Sequence, residues 1–227
     1  MIHTSNVPTA ATPSSSAPEF ELHGGRGRFN AAFFRIMGPY LEWTLRTRKR
    51  KVFADLPTRV VEIGPGVGAN LRYLPTGTTL VAIEPNLYMH RRLQAAAQRR
   101  GITLDLRDRM ASHTDLPDDS VDAVISSLVL CSVDDPAAVL AEIRRILRPG
   151  GTFHFVEHVV APAGTPTRVA QRVLRRPWAW IFEGCSCERD LEGQVRAAGF
   201  ARVSVDRYRL HTALLPFNTH IAGVARA

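Results

Sequence analysis

The spacing of hydrophobic positions changes several times along the chain. Between Phe29 and Phe53 the apolar residues Phe33, Phe34, Ile36, Met37, Tyr40, Leu41 and Leu45 crowd at helical spacing, and Gly38-Pro39 among them predicts two helical pieces with a break. Beyond Phe53, short apolar runs alternate with amphipathic ones. The pattern predicts strands at 58–63, 78–83, 102–106, 121–128, 152–159, 200–208 and 221–225. Helices are expected from 67 to 74, from 87 to 100 before Gly101, and from 188 to 198 before Gly199. Another carries the stripe Val139, Leu140, Ile143, Ile146 and Leu147; Asp134 or Asp135 caps it, Pro136 suits its first turn, and Arg148-Pro149-Gly150 ends it. Strands alternating with helices require crossover connections, so the fold class is α/β: a Rossmann-like, seven-stranded, mostly parallel sheet with helices on both faces. Ligands of such sheets lie beyond the carboxyl ends of the strands, here just after Ile63, Ile83, Leu128 and Val156.

A length of 227 residues fits one compact core. Pro8, Pro13, Pro18 and the run Ser14-Ser15-Ser16 sit in an opening stretch too poor in apolar residues to offset its ordering entropy. The expected organisation is a disordered leader at 1–26, an N-terminal helical lid at 27–57 and a ligand-binding domain at 58–227. No apolar run approaches the ~20 residues that span a bilayer and no secretory signal opens the chain, which makes the cytoplasm the default location. The cysteines, Cys131, Cys185 and Cys187, are few, and the last two are separated by one residue rather than two. They read as packing thiols, with no metal expected.

The net charge of +8 draws attention to the tract RTRKRK at 46–51, which suits nucleic acid or an anionic membrane surface. The other arginines recur at helical spacing as solvated faces. Without interleaved aromatics or a nucleic-acid module, and with no Pro-Pro pair in the chain, nucleic acid is not the expected partner. Peripheral contact with an anionic membrane stays open.

Candidate chemistry gathers around VVEIGPGVGANL, residues 60–71. Gly64, Gly66 and Gly68 depart from the dinucleotide pattern G-x-G-x-x-G/A, although Ala69 can stand for its last small residue. Glu62, two residues ahead, would repel a pyrophosphate and welcome a cation. Glu84 closes the second strand, placed to accept both hydroxyls of a ribose. The pair fits a nucleoside with a positively charged tail, and S-adenosylmethionine, with its ammonium and sulfonium, is such a ligand.

These residues, with AIEPN, LPDDSVDAVISSLVLCSV, EIRRILRPGG and the strand ending in EH, make the chain resemble class I S-adenosylmethionine-dependent methyltransferases from about residue 48 onward. GANL, LVLCSV, RRILRPGG, VEHV, Gly184-Cys185 and PFNTHIAG are similar to the membrane-associated thiol methyltransferases of the methyltransferase-like seven type. Those relatives begin with a hydrophobic anchor, where this chain has its Pro/Ser/Thr leader. The resemblance implies that Glu62, Gly64, Gly66 and Gly68 line the methionine moiety and that Glu84 holds the ribose, with Pro85 and Asn86 at its edge. It further implies that Met110 and Ala111 flank adenine, and that Ser127, Leu128 and Val129 lie beneath the sulfonium.

Methyl transfer from a sulfonium needs positioning more than acid-base help, and a thiol ionises most easily among the acceptors. The expected reaction is S-methylation of a small, apolar, thiol-bearing metabolite. O- or N-methylation of a small natural product or phospholipid headgroup is the alternative, as is a repurposed fold that keeps the cofactor without methyl transfer. His158 and Glu157, at the carboxyl end of the fifth strand, are the catalytic candidates, His158 as base or as thiolate-stabilising cation; strand alternation lets only one of them enter the cleft. Cys131 reads as a packing thiol and His154 as structural. Trp178, Trp180, Ile181 and Phe182 form either an acceptor pocket or plain core, with Phe29 to Tyr40 as a lid opposite.

Overall fold

The computed structural model of the chain describes residues 24–182 and 184–227. The first 23 residues of the expected leader lie outside the described residues, and its last three, 24–26, already belong to a helix. That helix, α1 (Gly24–Val52), runs unbroken through Gly38-Pro39. The expected break does not occur: Pro39 sits on the exposed side of the helix, as does Arg35, so the hydrogen bond that proline removes is lost where solvent can replace it. Leu41 and Leu45 anchor the inner face of α1 in the core.

The sheet contains β1 (Arg59–Ile63), β2 (Thr79–Ile83), β3 (Thr103–Arg107), β4 (Val121–Ser127), β5 (Leu147–His158), β6 (Arg202–Arg209) and β7 (Thr219–Arg226). Their order is β3-β2-β1-β4-β5-β7-β6, parallel except that β7 runs antiparallel to both of its neighbours. Apart from their first residues, β1 and β2 are buried throughout, because helices cover both faces of the central strands. Edge strands β3 and β6 are half exposed and carry charges. The strand order reverses between β1 and β4, and their carboxyl ends form the crevice.

Helix α2 (Leu87–Arg99) is capped by Asn86, and α3 (Pro136–Ile146) by Asp135, whose carboxylate accepts from the amides of Ala137 and Ala138 with Pro136 in the first turn. After the glycine turn the chain makes only a 3₁₀ turn (Ala69–Tyr73) instead of the expected helix. β5 starts earlier than its apolar run, at Leu147, with a register shift opposite Val121 that accommodates Pro149. The segment between β5 and the last helix contains a helix of its own, α4 (Pro166–Ile181), started by Thr165 and Pro166 and followed by the short α5 (Leu191–Ala197). Among the described residues no helix is long and apolar enough to cross a membrane.

The basic tract is not wholly a surface. Lys49 turns inward and donates to Glu42 at 2.8 Å; both are buried, and Glu42 also accepts the Tyr73 hydroxyl. Arg48 pairs with Asp206 and lies over the Tyr208 ring at 4.6 Å. His154 is structural, bonding the Val52 carbonyl at 2.7 Å and tying the end of α1 to β5.

Candidate active site

The turn after β1 is held by its glycines. Gly64, Gly66 and Gly68 adopt φ of +61°, +57° and +88°. A Cβ on Gly64 would come within 2.6 Å of Val129, so this glycine lets the loop after β4 close on β1. Gly66 is the open one: a Cβ there meets only the Met89 sulfur at 3.4 Å, and its amide donates to Glu84 Oε2 at 2.8 Å. Glu84 Oε1 accepts the Asn86 amide at 2.9 Å, and burial pushes this carboxyl up to about 7 against the pull of those two amides. Asn86 itself caps α2, accepting from the Tyr88 amide, and Pro85 lies between the two, half buried.

Glu62 is fully buried at the end of β1. Its Oε1 accepts from the Asn70 side chain at 2.7 Å, its Oε2 has no partner, and burial raises it to about 7. Asn70 is absent from the residues that sequence pattern singles out, although it is the first polar side chain after the glycines. At the end of β4, Ser127 Oγ is likewise buried without a partner, and Leu128 adopts φ of +62°, a strained conformation for a branched residue. Met110 is exposed and Ala111 buried in the loop after β3.

Glu157 and Ser126 account for that strained corner. Glu157 Oε1 accepts from Ser126 Oγ at 2.7 Å and from the Val129 amide at 3.2 Å. Burial raises its pKa to about 7, opposed by Ser126 and the amides of Val129, Leu130 and Cys131. It therefore folds the loop after β4 around itself. His158 points to the other side, as alternation requires. It is buried, with Nε2 bonded to the Pro216 carbonyl at 2.6 Å and Nδ1 facing Cys185 Sγ at 3.4 Å, among the rings of Trp178, Phe217 and His220. Cys131 joins it: its thiol beside the Cys185 sulfur is held above the usual thiol range by that pairing and by burial, and the same pairing, with His158, lowers Cys185. The expectation that Cys131 merely packs does not anticipate this convergence, since its partners lie far apart in sequence.

Over these strand ends sits an aromatic wall. Trp178 stacks on Phe182 with centroids 4.1 Å apart, and Phe182 meets Phe33 of α1 edge-on at 5.1 Å.

Comparison with known proteins agrees with this geometry. A family model described as a methyltransferase domain matches residues 61–155. The human thiol S-methyltransferase TMT1B is 32% identical over 202 residues, covering 84% of this chain and 82% of that protein. The chain belongs to the class I S-adenosylmethionine-dependent methyltransferases. Its cofactor is S-adenosylmethionine. Two solved structures share the fold: a methyltransferase from Thermotoga maritima (TM-score 0.60, 20% identity, 86% of this chain and 98% of that one) and the cyclase SpnF (TM-score 0.64, 18% identity, 98% of each). The methyltransferase's own residues fit such a cofactor: the buried, unpartnered Glu62 Oε2 and Ser127 Oγ lack the partners that a cationic, hydroxyl-bearing nucleoside supplies.

Proposed function

We propose that this methyltransferase acts on the sulfur of a small, apolar thiol. Bound S-adenosylmethionine supplies a methyl group already activated by its sulfonium. The protein's part is to bind and orient. Glu84 takes the ribose hydroxyls with Pro85 and Asn86 at the edge, Glu62 and the turn of Gly64, Gly66 and Gly68 hold the cationic methionine end, and Met110 and Ala111 face adenine. Ser127 and Leu128 lie under the methyl group.

The observation that carries the choice of sulfur is that neither catalytic candidate of β5 stands free as a base: Glu157 shapes the loop after β4, and His158 is buried with Nε2 on the Pro216 carbonyl and Nδ1 against the Cys185 sulfur, so an acceptor that ionises easily suits the site best. The name of the human relative supports the same acceptor. Trp178, Phe182 and Phe33 offer an apolar, water-poor wall. Incubation with methyl-labelled cofactor and a panel of thiols, phenols and amines tests the reading; label is expected in apolar thiols, and label in phenols or amines alone overturns it.

A peripheral membrane contact, from the cytoplasmic side, has its own observation. On α1 the exposed Phe29, Ile36, Tyr40 and Trp43 recur at helical spacing, as do Val169, Val173 and Trp180 on α4. The Phe29 and Trp180 rings meet at 5.1 Å, joining the two stripes. Exposed Arg35, Arg46, Arg50, Arg172, Arg175 and Arg176 accompany them, and Arg46 lies over Trp43. An apolar strip rimmed by cations suits anionic lipid better than nucleic acid.

A further inference from the structure

Three donors from three distant segments converge below the aromatic wall. Cys131 follows β4, His158 ends β5 and Cys185 follows α4; their Sγ, Nδ1 and Sγ atoms all lie within 4.8 Å of one another, and all three residues are buried. Sequence proximity does not explain the cluster, because Cys187, two residues from Cys185, faces away and donates to the Gln171 carbonyl at 3.3 Å.

We propose that Cys131, His158 and Cys185 form a site for a thiophilic divalent cation of the zinc type, with a fourth corner left for the acceptor's sulfur. Two thiolates and one imidazole are a ligand set that zinc uses in catalytic centres, where three protein ligands leave one position open. Nδ1 and the Cys185 sulfur stand 3.4 Å apart, close to the edge of a tetrahedron with bonds of about 2.0–2.3 Å, and the remaining separations do not exceed 4.8 Å. The imidazole is already oriented as a ligand, because Nε2–H donates to the Pro216 carbonyl and leaves the Nδ1 lone pair aimed at the cluster. The buried Trp178 indole N–H faces the Cys185 sulfur and favours its thiolate, the form that a metal ion binds. Binding the cation releases the thiol protons to buffer, two electron pairs on sulfur and one on nitrogen forming the bonds. An acceptor thiol entering the fourth corner likewise loses its proton to buffer and binds as thiolate. This last step rests on the thiol reading above; the metal site itself does not.

The test uses the full chain, purified anaerobically under reductant, stripped with chelator and titrated with cobalt(II) in the absence of acceptor. Expected is one equivalent bound, with thiolate-to-cobalt charge-transfer absorption in the near ultraviolet that zinc abolishes. Cys185→Ser and His158→Ala should each weaken uptake by at least ~10-fold, while Cys187→Ser keeps it; unchanged adenosylhomocysteine binding in each variant shows that the fold persists. No uptake, or uptake that survives both substitutions, overturns the site. Adding a small apolar thiol to the cobalt form should shift the charge-transfer bands, and unchanged bands overturn the open corner. If the metal-stripped enzyme labels thiols at full rate, thiol methylation stands and the cation's part in it falls. If cobalt binds while no thiol is labelled, the site stands and the acceptor reading falls.

Discussion

The amide of Gly66 donates to the Glu84 carboxylate at 2.8 Å, so the glycine turn after β1 is closed by the acid that ends β2. The same carboxylate is the one proposed to take the ribose, which would couple the shape of the turn to occupancy of the site. Glu84→Ala should therefore weaken adenosylhomocysteine binding by about 10–100-fold, the worth of one or two charge-assisted hydrogen bonds. Isothermal calorimetry measures it, and binding within threefold of the parent would remove Glu84 from the site.

Glu62, Glu84 and Glu157 are raised to about 7 by burial, whereas an unfolded glutamate titrates near 4.5. Between these values the folded state holds more protons than the unfolded one, so stability falls as pH rises from about 4.5 to 7 and levels off above. Each group contributes at most about 3 kcal/mol to that fall. Glu142 behaves oppositely: burial works against it, but Arg145 and Thr114 lower it to about 2, and its contribution is lost only as pH drops toward that value. Urea midpoints for the cofactor-free protein should decline from pH 5 to pH 7.5, and Glu157→Gln should flatten part of the decline. A midpoint that rises across this window contradicts the assignment.

Gly64→Ala places a methyl group 2.6 Å from Val129 at a φ of +61°. Overlap and backbone strain together should cost about 1–3 kcal/mol. In the double variant with Val129→Ala the overlap disappears and only the strain remains, so urea denaturation should show partial recovery. Full additivity of the two substitutions is the outcome that discards the contact.

Trp43 and Trp180 are each more than half exposed, one on each apolar stripe. Replacing both by alanine should reduce co-sedimentation with anionic vesicles several-fold without altering the melting temperature by more than a few degrees. Neutral vesicles should retain little of either protein, and equal retention on both lipids counts against the basic rim.

Much of this was legible along the chain. Asp135 and Pro136 announced the start of α3 because a cap is local chemistry, and the alternation of apolar runs around Glu62 and Glu84 placed both acids at strand ends. Gly38-Pro39 misled because a proline on the solvent side of a long, anchored helix costs one hydrogen bond that water replaces. Lys49 misled in another way: within RTRKRK nothing distinguishes it from its neighbours, and only the packing of α1 against the 3₁₀ turn brings Glu42 and Tyr73 to it.

Local pattern alone determined the α/β class, the glycine turn and the acidic pair beside it, since period, capping and φ preference act over a few residues. Tertiary structure decided what was left: that Glu157 closes the loop after β4, that α1 and α4 bring their aromatics together, and that Cys131, His158 and Cys185 meet. Those relations join residues up to 151 positions apart, Phe29 and Trp180, through burial and strand order, and no short-range preference records which distant side chains will share one interior.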